Sequence, residues 1–228
     1  VKSFTIQLGS GRGAGKIVTP RRAATRAKLV SATRELIAER GVAATSVEEI
    51  SERAGFTRGA FYSNFDDIYD ILTIVSAQEF AKLQEGLKEA WERVLAENPN
   101  NALSLSEIAE KLLAAIPLGK DFYLIQSELA LLMVRKPELR QKLAVPRELF
   151  HQELGSFLEL SLRALGLKLR GDRRAITETI VALLRHASEA ALTSGRTENL
   201  IDPSEHARII IPVLMEAVTE EARGHESK

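Results

Sequence analysis

Cysteine is absent from all 228 positions, which excludes a disulfide framework, a thiolate metal site and a cysteine nucleophile. No apolar run approaches the roughly 20 residues that a membrane-spanning helix needs. The opening stretch "VKSFTIQLGSGRGAGK" also lacks the apolar core of a signal peptide. The chain is therefore expected to be cytoplasmic and to have no membrane partner. His151, His186, His206 and His225 are never spaced as paired metal ligands, and no Gly-x-Ser-x-Gly elbow occurs. "GSGRGAGK" falls short of a phosphate loop, with Ser10 where the pattern needs Gly and Ile17 where it needs Ser or Thr. With no nucleophile, metal set or nucleotide loop in view, the expectation is a non-enzyme without a cofactor.

Net charge is missing only from the total, 31 basic against 31 acidic groups. Residues 1–30 hold seven Lys/Arg and no Asp/Glu, leaving 24 basic and 31 acidic groups for residues 31–228. A basic front on an acidic body suggests that the front meets a polyanion. Residues 1–18 are Gly-rich without a sustained period and read as a flexible basic arm.

From residue 19 onward the apolar spacing is helical and no β-alternating run occurs, so the fold class is all-α. Thr19 and Pro20 open a helix that Gly41 stops. Thr45 with Glu48, or Ser46 with Glu49, has the form of a capping box, and Gly55 ends that helix after about two turns. Thr57 caps the next one, in which Phe61 and Phe65, four apart, point inward. Two short helices with a Gly-containing gap of three or four residues form a helix-turn-helix pattern. The rest reads as helices over about 67–97, 104–115, 120–135, 146–166, 172–194 and 203–222, with "GLKLRGD" as a loop. The expected organisation is a basic arm (1–18), a helix-turn-helix domain (19–66) and a helical domain (67–228).

The second short helix buries little, so its outer residues need another purpose. A major groove about 12 Å wide admits one helix whose reading end is free of bulk, which Gly59 and Ala60 supply. Thr57 and Arg58 stand at its N-terminal end, where base edges are met. Tyr62, Ser63 and Asn64, with Thr45 and Ser46, offer neutral donors to phosphate. Arg21, Arg22, Arg26 and Lys28 add a salt-dependent attraction.

"TSVEEISERAGFTRGAFYSNFDD" resembles the DNA-binding segment of TetR/AcrR-family transcriptional regulators, through Thr45, Ile50, Ala54-Gly55-Phe56, Gly59, Phe61-Tyr62 and Phe65. The resemblance covers about residues 24–72. It implies a homodimer on double-stranded operator DNA, a helical C-terminal domain with a small-molecule pocket, and repression relieved by that molecule. The alternative is an activator, or a regulator controlled by a protein partner. The sequence departs from the family pattern at Asn64, where His or Tyr is frequent, and at Ile68, where a Lys helps to hold phosphate. Phosphate contacts are thereby expected of Tyr62, Thr45 and the basic arm.

Trp91, Phe122, Tyr123, Gln126, Met133, Phe150, His151 and Phe157 are the candidate pocket residues, rings and apolar groups with a few polar atoms among them. "ARIIIPVLMEAV" is apolar nearly all round, and the helix before it carries many small residues. The last two helices are therefore the expected homodimer interface. Pro212 is expected to kink the last helix or to remove one of its hydrogen bonds.

Overall fold

The computed structural model describes residues 19–100, 102–116, 118–194 and 205–222. The arm at 1–18, the stop at Gly195 and the start at Asp202–Ser204 lie outside them. The helices are α1 (Pro20–Arg40), α2 (Val47–Arg53), α3 (Arg58–Tyr62), α4 (Ile68–Glu97), α5 (Leu105–Ala115), α6 (Lys120–Arg135), α7 (Arg140–Leu143), α8 (Val145–Ala164), α9 (Arg173–Thr193) and α10 (Glu205–Ala217). A 3-10 turn, Pro137–Leu139, leads into α7.

Each early boundary has a local cause. The Thr19 side chain accepts a hydrogen bond from the Arg22 N–H, and Pro20 opens α1. Gly41 ends α1 with φ 81°, a left-handed value that favours glycine, and a Cβ there would come within 2.9 Å of Glu128 Oε2. Ser46, not Thr45, makes the capping box of α2 with Glu49. Thr57 caps α3 through the Ala60 N–H, and Asp67 caps α4 through the Asp70 N–H.

Two differences from the sequence reading concern the C-terminal half. "GLKLRGD" is not wholly a loop, because β1 (Leu167–Leu169) pairs antiparallel with β2 (Thr219–Glu221). Three residues per strand are too few for alternation to show, and the partners lie some fifty positions apart. The last helix stops at Ala217 instead of running to about 222, since Thr219–Glu221 is spent on the ribbon. Pro212 lies inside α10 without ending it.

Apolar side chains gather in three places. Leu29, Leu36, Ile37, Ile50, Phe61 and Phe65 pack beneath α1–α3 and continue into Ile71, Leu72 and Val75 of α4 and Ile125 and Leu129 of α6. Leu113, Leu162, Ile176, Ile180, Ile211 and Met215 join α5, α8, α9 and α10. Phe80, Leu83, Leu118, Phe150 and Ala191 form a third group, with the Phe80 and Phe150 rings stacked 4.6 Å apart. No helix among the described residues is long and apolar enough to cross a membrane.

Candidate nucleic-acid interface and cavity

α3 is anchored by one side only. Phe61 is fully buried and tilts against Phe65, their ring centres 5.3 Å apart. Thr57, Arg58, Gly59, Tyr62 and Ser63 are exposed. Gly59 has no internal reason to be glycine. Its φ is not left-handed, and a Cβ there would meet nothing nearer than Thr57 Oγ1 at 3.7 Å. The bare backbone on that surface is available to something outside the chain. Tyr62 stands 48% exposed, edge-on to Phe61, with the Arg58 guanidinium 5.5 Å from its ring centre. Arg58 also pairs with Glu48 of α2 at 2.5 Å. Arg21 and Lys28 are exposed on α1, Lys28 with its amine 6.0 Å from the Phe56 ring centre.

Several residues expected to offer free donors are committed within the chain. Thr45 is buried, its hydroxyl donates to the Gly41 carbonyl at 2.8 Å and its N–H to that of Val42. The Ser46 hydroxyl donates to Glu49 Oε2 in the capping box. Ser63 donates to the Ala60 carbonyl, and the Asn64 amide does the same. Arg22 donates to the Ser63 carbonyl and the Asn64 side-chain oxygen. Arg26 donates to the Asn64 carbonyl at 2.9 Å and lies over the Phe65 ring. These two arginines satisfy the orphan carbonyls at the end of α3, so they position it. Ile68 packs partly buried against the core. The face left open consists of Thr57, Arg58, Gly59 and Tyr62, with Ala60 half-buried behind them.

Glu48 holds Arg58 on that face and brings a negative charge to it. Glu48→Gln is expected to raise DNA affinity about threefold at low salt, the gain shrinking as salt rises, since the pair is exposed and its charges are screened. Fluorescence anisotropy at two salt concentrations measures it, and unchanged or weaker binding would mean that the pair orients Arg58 usefully.

Below α4 lies a cavity of about 430 Å³, walled by α4, α5, α6, α8, α9 and α10. Phe122, Tyr123, Gln126, Met133, Phe150, His151 and Phe157 line it, with Leu, Ile and Val side chains forming most of the remainder. Trp91 does not line it, which corrects its place among the pocket candidates. Its ring meets Phe157 edge-on from behind, 6.2 Å between centres. Polar groups are few. Gln126 and Ser76 lie within hydrogen-bond reach of each other. Burial, reinforced by the Arg147 charge, holds the His151 imidazole below its ordinary pKa, and its Nε2 is buried without a hydrogen-bond partner among the described residues. Among the described residues no cluster of His, Asp and Glu could hold a metal.

Residues 29–73, which contain the whole helix-turn-helix, match the family described as bacterial regulatory proteins, tetR family. Residues 29–73 therefore form a tetR-family segment. Solved structures agree in fold. A tetR-family transcriptional regulator from Mesorhizobium loti MAFF303099 superposes with TM-score 0.67 at 16% identity, over 87% of this chain and 98% of that one. One from Rhodococcus sp. gives 0.66 at 20% identity, over 86% and 98%. A transcriptional regulator from Rhodococcus sp. Rha1 gives 0.60 at 16%, over 85% and 95%. No curated protein matches the chain.

The three-helix head that carries this segment is bolted to two walls of the cavity. Arg34 of α1 donates to Glu79 of α4 at 2.8 Å and to Asp121 of α6 at 3.0 Å. Glu79 is buried and also receives Lys82 at 2.7 Å. The residues next to these two acids, Phe80 and Phe122, line the cavity and meet edge-on, 5.8 Å between ring centres. Two turns past Asp121, beyond Gln126, Glu128 of α6 accepts the Val42 N–H at 2.9 Å. Sequence reasoning did not find Arg34, Glu79, Asp121 or Glu128. An Arg and a Glu on the inward faces of two helical patterns were the only signal.

Proposed function

We propose that this protein is a ligand-responsive transcriptional regulator, acting as a homodimeric repressor that a small molecule releases from DNA. The observation that carries the reading is the shared use of α4 and α6: both wall an apolar cavity and both are bonded to α1 of the head. A molecule that fills the cavity and shifts either helix moves the head with it. To change DNA binding tenfold, such a ligand must prefer the released geometry by about 1.4 kcal/mol.

Two protomers would place two α3 helices in successive major grooves of a near-palindromic site, with half-site centres about 34–36 Å apart. Thr57 and Arg58 would meet base edges, Tyr62 a phosphate, and Gly59 the closest backbone. The dimer face would be α9 with α10. On α10, Ile209, Ile210 and Val213 are 63%, 45% and 59% exposed in the single chain while Ile211 and Met215 are buried. Half of that apolar helix therefore has no partner among the described residues. α9 presents Ala175, Thr179 and Ala182, all exposed and small enough for close helix approach.

The test is anisotropy on a labelled duplex from upstream of the protein's own gene, against a random duplex, with and without molecules that raise the melting temperature. Expected are two protomers per specific duplex, loss of binding on random DNA, and release by the stabilising molecule. Equal, salt-abolished binding on duplexes that include sites selected from a random pool would overturn the reading.

A further inference from the structure

The cavity has no carboxylate in its lining and no Lys; its ionisable groups are Tyr123, Arg147, His151 and Arg185. Of all its lining residues only Arg147 and Arg185 are exposed, so they mark where the cavity meets solvent. The register of α8 and α9 also puts them at one level of the helix pair. α8 and α9 run antiparallel with Glu159 bonded to Arg173 at 3.0 Å, and a Cβ on Gly155 would touch Thr177 Oγ1 at 3.0 Å. Each four-residue step back along α8 is thus matched by four residues forward on α9. Two further steps from Gly155 and Thr177 bring Arg147 level with Arg185. The shared packing of Phe150, Leu154, Val181 and Leu184 agrees with that register.

Neighbouring arginines on α9 show what an unoccupied guanidinium usually finds: Arg173 pairs with Glu159, and Arg174 with Glu178 at 2.8 Å. Arg147 and Arg185 have no ion pair among the described residues. Glu148 and Glu178 are near enough to act on His151, and Glu178 also feels the Arg147 charge, but neither acid lines the cavity and Glu178 is bonded to Arg174. Two like charges at one level of an apolar opening favour an anion there, and guanidinium forks suit a carboxylate.

We infer that the cavity takes an elongated apolar monoanion, a carboxylate with an aliphatic or aryl-aliphatic body, whose head is held by Arg147 and Arg185 and whose body lies among the leucines and phenylalanines within. This rests on the reading of the cavity as the effector site and adds the ligand's chemical class. It excludes lipophilic cations, for which the lining has no counter-charge.

The probes are decanoate, decanol and decyltrimethylammonium, titrated into the full chain by calorimetry below their micelle concentrations. Decanoate is expected to bind about tenfold more tightly than either of the others; the gain stays modest because both guanidiniums keep contact with water. Arg147→Gln with Arg185→Gln should remove that preference, leaving decanol affinity and the unliganded melting temperature unchanged. Both residues are exposed, so the double variant folds. Tighter binding of the ammonium probe, or decanoate affinity untouched by the double variant, overturns the inference. If decanol binds as tightly as decanoate and releases DNA, the anion assignment falls and the effector reading stands. If no probe binds, the inference falls, and a broad screen for molecules that release DNA decides the effector reading separately.

Discussion

Gly59→Leu is expected to abolish specific DNA binding while leaving the protein as stable as before, or slightly more so. The two halves of that result have separate causes. Glycine inside a helix is destabilising by roughly 0.5–1 kcal/mol relative to alanine, and leucine is nearly as good a helix former. The site has room within the chain, since the nearest heavy atom to a new Cβ is Thr57 Oγ1 at 3.7 Å. Folding therefore gains or stays level. On the outside, a leucine side chain would stand between the recognition face and any backbone it must approach. With Arg58 on one side and Tyr62 one turn on, α3 could not tilt away without withdrawing both. The expected loss is about a hundredfold or more in specific affinity, some 2.7 kcal/mol, read by anisotropy. The melting temperature from circular dichroism should not fall. A folded variant that binds normally would show that Gly59 does not face DNA, and the docking geometry of α3 would have to be redrawn.

The head of the molecule was legible because its determinants are local. Ser46 and Thr57 cap within three residues, and Phe61 and Phe65 are one turn apart, so spacing alone places them. The bracing part of Arg22 and Arg26 was hidden for the opposite reason. Their partners, Ser63 and Asn64, lie about forty positions away, and only the packing of α1 across the end of α3 brings them together. Thr45 shows the same effect at short range. A threonine before a capping serine looks like a free donor until the chain turns back at Gly41 and supplies its carbonyl.

The cavity was legible in its rings and not in its charges. Periodicity says that Trp91 and Phe157 both point inward, but it cannot say that one shields the other. Arg147 had a faint signal: its neighbours one turn away, Leu143, Ala144, Phe150 and His151, include no carboxylate. Its place level with Arg185 depends on the antiparallel register of α8 and α9, which no single-helix pattern contains. The ribbon of β1 and β2 was hidden likewise, three residues at a time.

Arg34→Met is expected to uncouple the cavity from the head and to destabilise the fold by about 2 kcal/mol. The figure sits below the 3–5 kcal/mol of a fully buried broken pair because Lys82 still reaches Glu79 and Arg34 is partly exposed. For a chain of this size it corresponds to a fall in melting temperature of roughly 4–8 °C. The pH dependence has a definite sign. Burial pushes the Glu79 carboxyl up, but the bonds from Arg34 and Lys82 outweigh it and leave its pKa below the ordinary value. A depressed carboxyl contributes stability above its unfolded pKa, and that stability is lost as pH falls through the folded pKa. Arg34→Met should therefore lose most at neutral pH and differ least from the parent in acid. Glu79→Gln should flatten the acid limb in the same way. The functional consequence is separable from stability. With Arg34 gone, α1 loses its bonds to the helices carrying Phe80 and Phe122, leaving the Val42–Glu128 contact. A cavity ligand should still raise the melting temperature of the variant. Its power to release DNA should drop about tenfold, within the range of ordinary coupling energies. Ligand titration against preformed protein–DNA complex measures this. Full release in a variant that has lost the Arg34 bonds would move the coupling route to Glu128, and Glu128→Gln would be the next substitution to read.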